Sequence, residues 1–211
     1  LIAAWPSELS IAAVNGPQNV VVSGLLRAIE AVEAQCQAQG LRCSRLKVSH
    51  AFHSPLMEPM LAEFERVVAS VDLRAPRIEL ISNLTGRPVG EAITRPGYWR
   101  EHVREAVQFA PAVQALAQAG VEVFLEVGPH PTLLGLGQAC LPDGSGDGQR
   151  HWLPSLRRGR GDWESLLGSL ARLHGLGATI DWTAFDAGRA RRRVALPGYP
   201  FQRERYWAPD D

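Results

Sequence analysis

The stretch VSHAFHSPLM, residues 48–57, sets His50 and His53 three apart, between an alternating run and a proline-led helical pattern. Three chemistries are open to this pair. A metal site would want histidines four apart on one helical face and a further ligand close in sequence, and neither is present. Two histidines packed around Phe52 would be core. A general base is the third reading, because a histidine where a strand gives way to a loop can take a proton from a hydroxyl near neutral pH. A base needs a nucleophile. Ser54 adjoins His53, but adjacent side chains on an extended chain point apart. No GxSxG elbow occurs in these residues, so the catalytic reading is incomplete on them alone.

A second candidate is EVGPHPTL, residues 126–133, a glycine turn ahead of a helical pattern. Such a turn can hold phosphate. It lacks both GxGxxG and a GK[ST] ending, which argues against a nucleotide loop. Gly128 is expected there for an unusual backbone angle.

The elements that must position these residues follow from periodicity. SIAAV and VVVS flank Asn15-Gly16-Pro17 and predict strand, turn, strand. Leu25, Ile29, Val32 and Cys36 are helically spaced and end at Gly40, a C-cap. LRCSRLKVS alternates and predicts a further strand. From Pro55, a helix is expected with Leu56, Met60, Phe64 and Val67 as its apolar stripe. RIELISNLTG predicts a strand closed by a turn. RPGYWREHVREAV and FAPAVQALAQAG predict two helices, the second ended by Gly120. VEVFLEVG predicts an apolar strand with both faces covered, and a helix follows Gly128. Residues 142–150, PDGSGDGQR, mark a flexible boundary. Beyond them come WLPSL, an amphipathic helix over about 162–176, and an irregular tail rich in proline and aromatics. No internal repeat is visible. The opening β-β-α-β lacks the first strand and helix of a βαββαβ unit, so the chain is expected to start inside a domain.

Bulk composition narrows the classes. Apolar residues make up 45% of the 211, enough for a packed core. Twenty-two basic side chains balance 22 acidic ones, which argues against a nucleic-acid binder. The short runs RRGR and RARRR fit solvated loops. No apolar run approaches the ~18 residues of a membrane span, and the first residues lack a signal-peptide pattern. Three cysteines without a CxxC pair fit reduced thiols in a cytoplasmic setting.

Taken in order, SIAAVNGPQNVVVSG, HAFHSPLM, SNLTG, YWREHVREAVQFAPAVQALAQAGVEVFLEVGPHPTLLGLG and LPGYPFQRERYW resemble the acyltransferase domain of modular type I polyketide synthases. The last piece resembles the linker behind that domain. The resemblance implies an α/β fold: a partial ferredoxin-like small subdomain (β-β-α-β, residues 1–49) and the C-terminal part of an α/β-hydrolase-like acyltransferase core (50–141). A post-acyltransferase linker with one helix and an irregular aromatic tail (142–211) would follow. The aromatics Trp152, Trp182, Tyr199, Phe201, Tyr206 and Trp207 are expected to anchor that tail.

The implied chemistry is ping-pong transfer of a malonyl unit from malonyl-CoA to the phosphopantetheine thiol of an acyl carrier protein, through an acyl-serine ester. His53 matches the family's catalytic histidine. His102 falls where the family uses a backbone carbonyl to hold the other nitrogen of that imidazole. His50, Phe52 and Asn15 match substrate-lining positions. HAFH resembles the malonyl-selecting form, whereas methylmalonyl-selecting members tend to read YASH; Phe52 would fill the space an α-methyl needs. The family's serine elbow, oxyanion-hole glutamine and carboxylate-binding arginine have no counterpart in these residues and are expected ahead of Leu1. No cofactor and no metal is implied. The implied partners are the N-terminal half of the acyltransferase, a ketosynthase and an acyl carrier protein, in a homodimeric parent without nucleic acid or membrane. Two other readings stand beside this one: an inert structural or carrier-docking fragment, and an acyltransferase with another acyl substrate.

Overall fold

The structure is a computed structural model that describes residues 1–141, 150–190, 192, 194–204 and 207. The chain forms two compact units, Leu1–Ser169 and Leu170–Asp211. The first unit opens with a 3-10 turn at Ile2–Ala4 and an antiparallel hairpin, β1 (Leu9–Gly16) and β2 (Asn19–Gly24). β1 pairs Leu9 with Gly24 and Gly16 with Asn19, so the reversal is Pro17-Gln18; Gly16 stays in the ladder, and Asn15 falls at a register shift between Val14 and Gly16. Helix α1 (Leu26–Ala38) follows. It ends as predicted: Gly40 has φ +67°, which a side chain would resist, and Leu41 N–H closes on Cys36 O at 2.9 Å.

Residues 41–49 are not a strand. They take part in no ladder, and an alternating sequence alone does not make a strand without a partner. A 3-10 turn at Pro55–Met57 then leads into α2 (Glu58–Ala69). Its buried stripe is Met57 and Leu61, with Met60, Phe64 and Val68 partly covered; Leu56 and Val67 are exposed. The difference from the predicted stripe has a cause. The 3-10 turn winds three residues per turn instead of 3.6 and so shifts the phase of the face.

The predicted single strand at RIELISNLTG is a hairpin, β3 (Leu80–Ser82) with β4 (Arg87–Val89). Gly86 turns it at φ +68°, with Pro111 packed where its side chain would be. Helices α3 (Pro96–Arg104) and α4 (Phe109–Gln118) follow as expected. Trp99 Nε1–H donates to Ile93 O at 2.7 Å, and Ser82 Oγ lies 2.6 Å from Tyr98 Oη, so α3 is tied at its start. Arg104 with Glu58, and Arg100 with Glu65, tie α3 to α2.

β5 (Val123–Glu126) runs parallel to β6 (His151–Pro154), the strand formed by the start of HWLPSL. Between them lies α5 (Thr132–Cys140). β5 was expected to be covered on both faces, yet Leu125 is 45% exposed. Among the described residues it pairs only with β6, so its apolar character exceeds the cover it finds. Ala110 and Val113 of α4 and Cys140 of α5 form a core cluster with Val14 of β1. Trp152 stacks on Phe124 at 4.3 Å and fills the space beside Gly137.

Helix α6 (Asp162–Gly175) meets its predicted span and crosses the division between the units. In the second unit a short further helix, α7 (Trp182–Asp186), is capped by Asp181, so the described residues after 142 include two helices where one was expected. Trp182 packs edge-on against His174. Tyr199, Phe201 and Trp207 are 76%, 74% and 73% exposed. Tyr199 and Phe201 contact each other at 5.0 Å; Pro197 and Pro200 remove the backbone donors a strand there would use. Tyr206 and most of the predicted flexible boundary at 142–150 lie outside the described residues. Among the described residues no helix is long and apolar enough to cross a membrane.

Candidate functional site around His53

His53 sits at the end of residues 48–53, just ahead of the 3-10 turn. It has φ +62°, the only described residue other than glycine in the left-handed region. Two bonds to one helix end hold it there. Its N–H donates to Val103 O at 3.0 Å, and its Nδ1 lies 2.7 Å from Glu105 O. A carbonyl only accepts, so Nδ1 carries the proton and the neutral ring keeps its lone pair on Nε2. The ring is partly exposed, not sealed in apolar side chains.

The carbonyl that orients the ring therefore belongs to Glu105, three residues beyond His102, where the sequence reading put it. Helix geometry explains the correction. α3 stops at Arg104, and Glu105 leaves the helix at ψ +160°. Carbonyls at a helix end lack intrahelical partners and are free for a side chain.

The segment after Glu105 works as a strut. Val107 N–H donates to Ala12 O and Val14 N–H to Val107 O, both at 2.8 Å, forming a parallel bridge to β1. Gln108 N–H reaches Asn83 O at 2.6 Å, at the end of β3. One short stretch thus aims the imidazole and locks to both hairpins.

His102 lies beside this strut. Its Nε2 is 2.8 Å from Asn83 Oδ1, and its ring contacts Tyr98 and Trp99. Partial burial, and then the nearby His53, hold its pKa below the ordinary 6.5. A histidine with a lowered folded pKa binds fewer protons folded than unfolded. Its stability contribution is whole above 6.5 and is lost as pH falls below that value. His102→Gln keeps a donor for Asn83 and removes the titration. The expected result, read by denaturant melts across mildly acidic pH, is a shallower acid loss of stability in the variant.

Ser54 is not a nucleophile for its neighbour. It is fully buried, its Oγ donates to Ala51 O at 2.6 Å, and it accepts from Leu56 N–H as the cap of the 3-10 turn. Phe52 is 49% exposed among the residues of this chain. Its ring is 6.1 Å from His50 and 6.5 Å from His53, so the three rings form one surface. His50 Nδ1 meets Ser49 Oγ at 2.9 Å. The carbonyl of Asn15 accepts the Cys140 thiol at 3.2 Å, and among the described residues no hydrogen bond joins Asn15 to His53. Among the described residues no cluster of side chains could hold a metal.

EVGPHPTL is a structural turn. Glu126 caps α5 by accepting from the N–H groups of Thr132, Leu133 and Leu134. A carboxylate therefore occupies the place a phosphate would take. Gly128 is not in the left-handed region, contrary to expectation; Ser155 Oγ bonds both its N–H and its carbonyl. Sequence reasoning missed Asn83, Glu105 and Glu126. Only Glu126 had a visible signal, an acid ahead of a helix start.

Comparison with known proteins gives the family. Residues 1–180 match the acyl transferase domain family. Part of the polyketide synthase GfsA of Streptomyces halstedii is 46% identical over 208 residues, covering 98% of this chain and 3% of that protein. The spectinabilin polyketide synthase system protein NorB of Streptomyces orinoci is 43% identical over 207 residues, 98% of this chain and 10% of that protein. The acyltransferase domain from the second module of the salinomycin polyketide synthase superposes with a TM-score of 0.82 at 40% identity, covering 93% of this chain and 45% of that one. Malonyl-CoA:acyl carrier protein transacylase (FabD) from Xanthomonas oryzae pv. oryzae gives 0.67 at 25% identity, with 78% and 49% covered. The chain spans less than half of either solved domain, and it belongs to the acyl transferase domain family, among its polyketide synthase members.

Proposed function

We propose that this chain supplies the general base and part of the acyl-selecting surface of a polyketide synthase acyltransferase. The reaction moves a malonyl unit from malonyl-CoA to the phosphopantetheine thiol of an acyl carrier protein. The observation that carries it is the Nδ1 contact of His53 with Glu105 O, which leaves Nε2 basic and partly exposed. In the first half-reaction Nε2 accepts the proton of a serine hydroxyl contributed by residues outside this sequence. The serine oxygen adds to the thioester carbonyl, and the coenzyme A sulfur leaves with the proton returned from Nε2. In the second half-reaction Nε2 takes the pantetheine thiol proton. The sulfur adds to the acyl-serine carbonyl, and the serine oxygen leaves with that proton. No cofactor enters these steps.

Under this proposal residues 1–49, with the β1–β2 hairpin and α1, form part of a ferredoxin-like small subdomain. Residues 50–141 belong to the hydrolase-like core and residues 142–211 to the linker behind it. The N-terminal part of the domain, a ketosynthase and an acyl carrier protein are the partners, in a cytoplasmic homodimer. The relatives support this as members of multidomain synthases.

Phe52 gives the substrate test. Its ring stands on the exposed surface it shares with His50 and His53, where an α-methyl on the extender would meet it. In the complete domain, Phe52→Ser is expected to raise methylmalonyl relative to malonyl transfer by about 10–200-fold, the equivalent of ~1–3 kcal/mol for one methyl. Competition between the two coenzyme A thioesters, read by mass of the loaded carrier, measures it. An unchanged ratio would remove Phe52 from the selecting surface, and no transfer of either unit by the parent domain would end the proposal.

A further inference from the structure

Residues 41–45 run back along α1, and the bonds that hold them set two thiols side by side. Leu41 N–H donates to Cys36 O at 2.9 Å, which fixes the start of the segment over the last turn of the helix. Arg45 then reaches Glu33 at 2.7 Å and Glu30 at 3.7 Å, further toward the helix start. Cys43 lies midway between Leu41 and Arg45, so the chain that carries it is tied to α1 on both sides. Glu33 and Cys36 are three apart and share a helix face. Cys43, between these two ties, is thereby held beside α1, where the side chains of Cys36 and Glu33 act on its thiol. Both cysteines are free; Cys43 is exposed and Cys36 partly so. Cys140, by contrast, is buried with its thiol on Asn15 O.

We infer that Cys36 and Cys43 form a site of reversible oxidation, a disulfide made by exchange with a low-molecular-weight disulfide of the glutathione class. One cysteine, as thiolate, attacks the oxidant and releases one glutathione thiol, leaving a mixed disulfide. The second cysteine loses its proton and attacks the bound sulfur. The Cys36–Cys43 bond forms, and a second glutathione thiol leaves. Two protein thiols are oxidised and one glutathione disulfide is reduced to two thiols, so atoms and electrons balance. Desolvation, then Cys36 and Glu33, push the Cys43 thiol above its ordinary pKa, which makes Cys43 slow to react at neutral pH. The bond pins the chain to α1 a few residues ahead of His50, so it acts at the base of the segment that carries His53.

Trypsin offers a clean test, because Arg42 lies between the two cysteines. The full-length protein is treated with oxidised glutathione, the remaining thiols are alkylated, and it is digested without reductant. The expected product is peptide 28–42 joined to peptide 43–45, lost on adding dithiothreitol. Cys43→Ser is expected to leave Cys36 as a glutathione adduct with no joined peptide. Glutathione adducts on both cysteines of the unaltered protein without the joined pair, or a bond from either to another cysteine, would overturn the inference. So would the recovery of both as unreacted thiols while other exposed cysteines oxidise.

Discussion

His53→Ala in the complete acyltransferase should lower transfer to the carrier protein by about 10²–10⁴-fold, the usual cost of removing a general base. Both half-reactions pass through the same Nε2, so acyl-enzyme formation and its discharge should fall together. Rapid-quench measurement with labelled malonyl-CoA, followed by addition of carrier protein, separates them. A variant that loads at the parent rate would contradict the assigned base. The backbone sharpens the result. His53 holds a conformation that costs of order 1–3 kcal/mol in a residue with a side chain. Alanine inherits that strain without the Nδ1 bond that offsets it, so His53→Gly is the companion variant. It should be equally inactive and no less stable than His53→Ala, which distinguishes lost chemistry from lost folding.

The second large effect lies in the first hairpin. Gly24 ends β2 opposite Leu9 with φ +153°. A Cβ built there falls onto the carbonyl oxygen of Glu8 and within 2.9 Å of Leu9 Cα. That carbonyl is already the acceptor for Leu25 N–H at 2.9 Å, the bond that starts α1. It cannot move without releasing the helix. Gly24→Ala is expected to destabilise by about 3 kcal/mol or more, combining backbone strain with a backbone clash. Gly168 is the contrast. It sits within α6 with open space around it, and Gly168→Ala should stabilise by ~0.5–1 kcal/mol through helix propensity. Urea melts of the two variants should therefore move in opposite directions. Equal shifts would mean that the close approach at Glu8 is relieved elsewhere.

These two cases mark what the residues alone could disclose. His53 was legible from its type and from HAFHSPLM, one of the motifs that carry the family resemblance; the strand expected ahead of it is absent. Glu105 was not, since it acts through a carbonyl that every residue carries; what matters is that α3 stops one residue earlier. The same logic separates the helices from the strands. Helices α1, α3, α4 and α6 declare themselves by local spacing and caps. Residues 41–49 alternate as a strand should, but alternation says which side chains would share a face, not whether a partner ladder exists. β4 is hidden by Pro88, which usually argues against a strand and is tolerated here in a short two-stranded pair. The buried face of α2 was misplaced because a tighter turn precedes it.

The strut at residues 105–108 has a consequence for how the molecule comes apart. Val107 is zipped to β1, Gln108 to the end of β3, and Glu105 to the imidazole, all within four consecutive positions. A fluctuation that peels this stretch from either hairpin withdraws the ring's support in the same event. Opening free energy is then shared, and slow amide exchange at Val14, Val107 and His53 should rise and fall as one cooperative block. The readiness of the base is, in this sense, a property of the hairpins' cohesion.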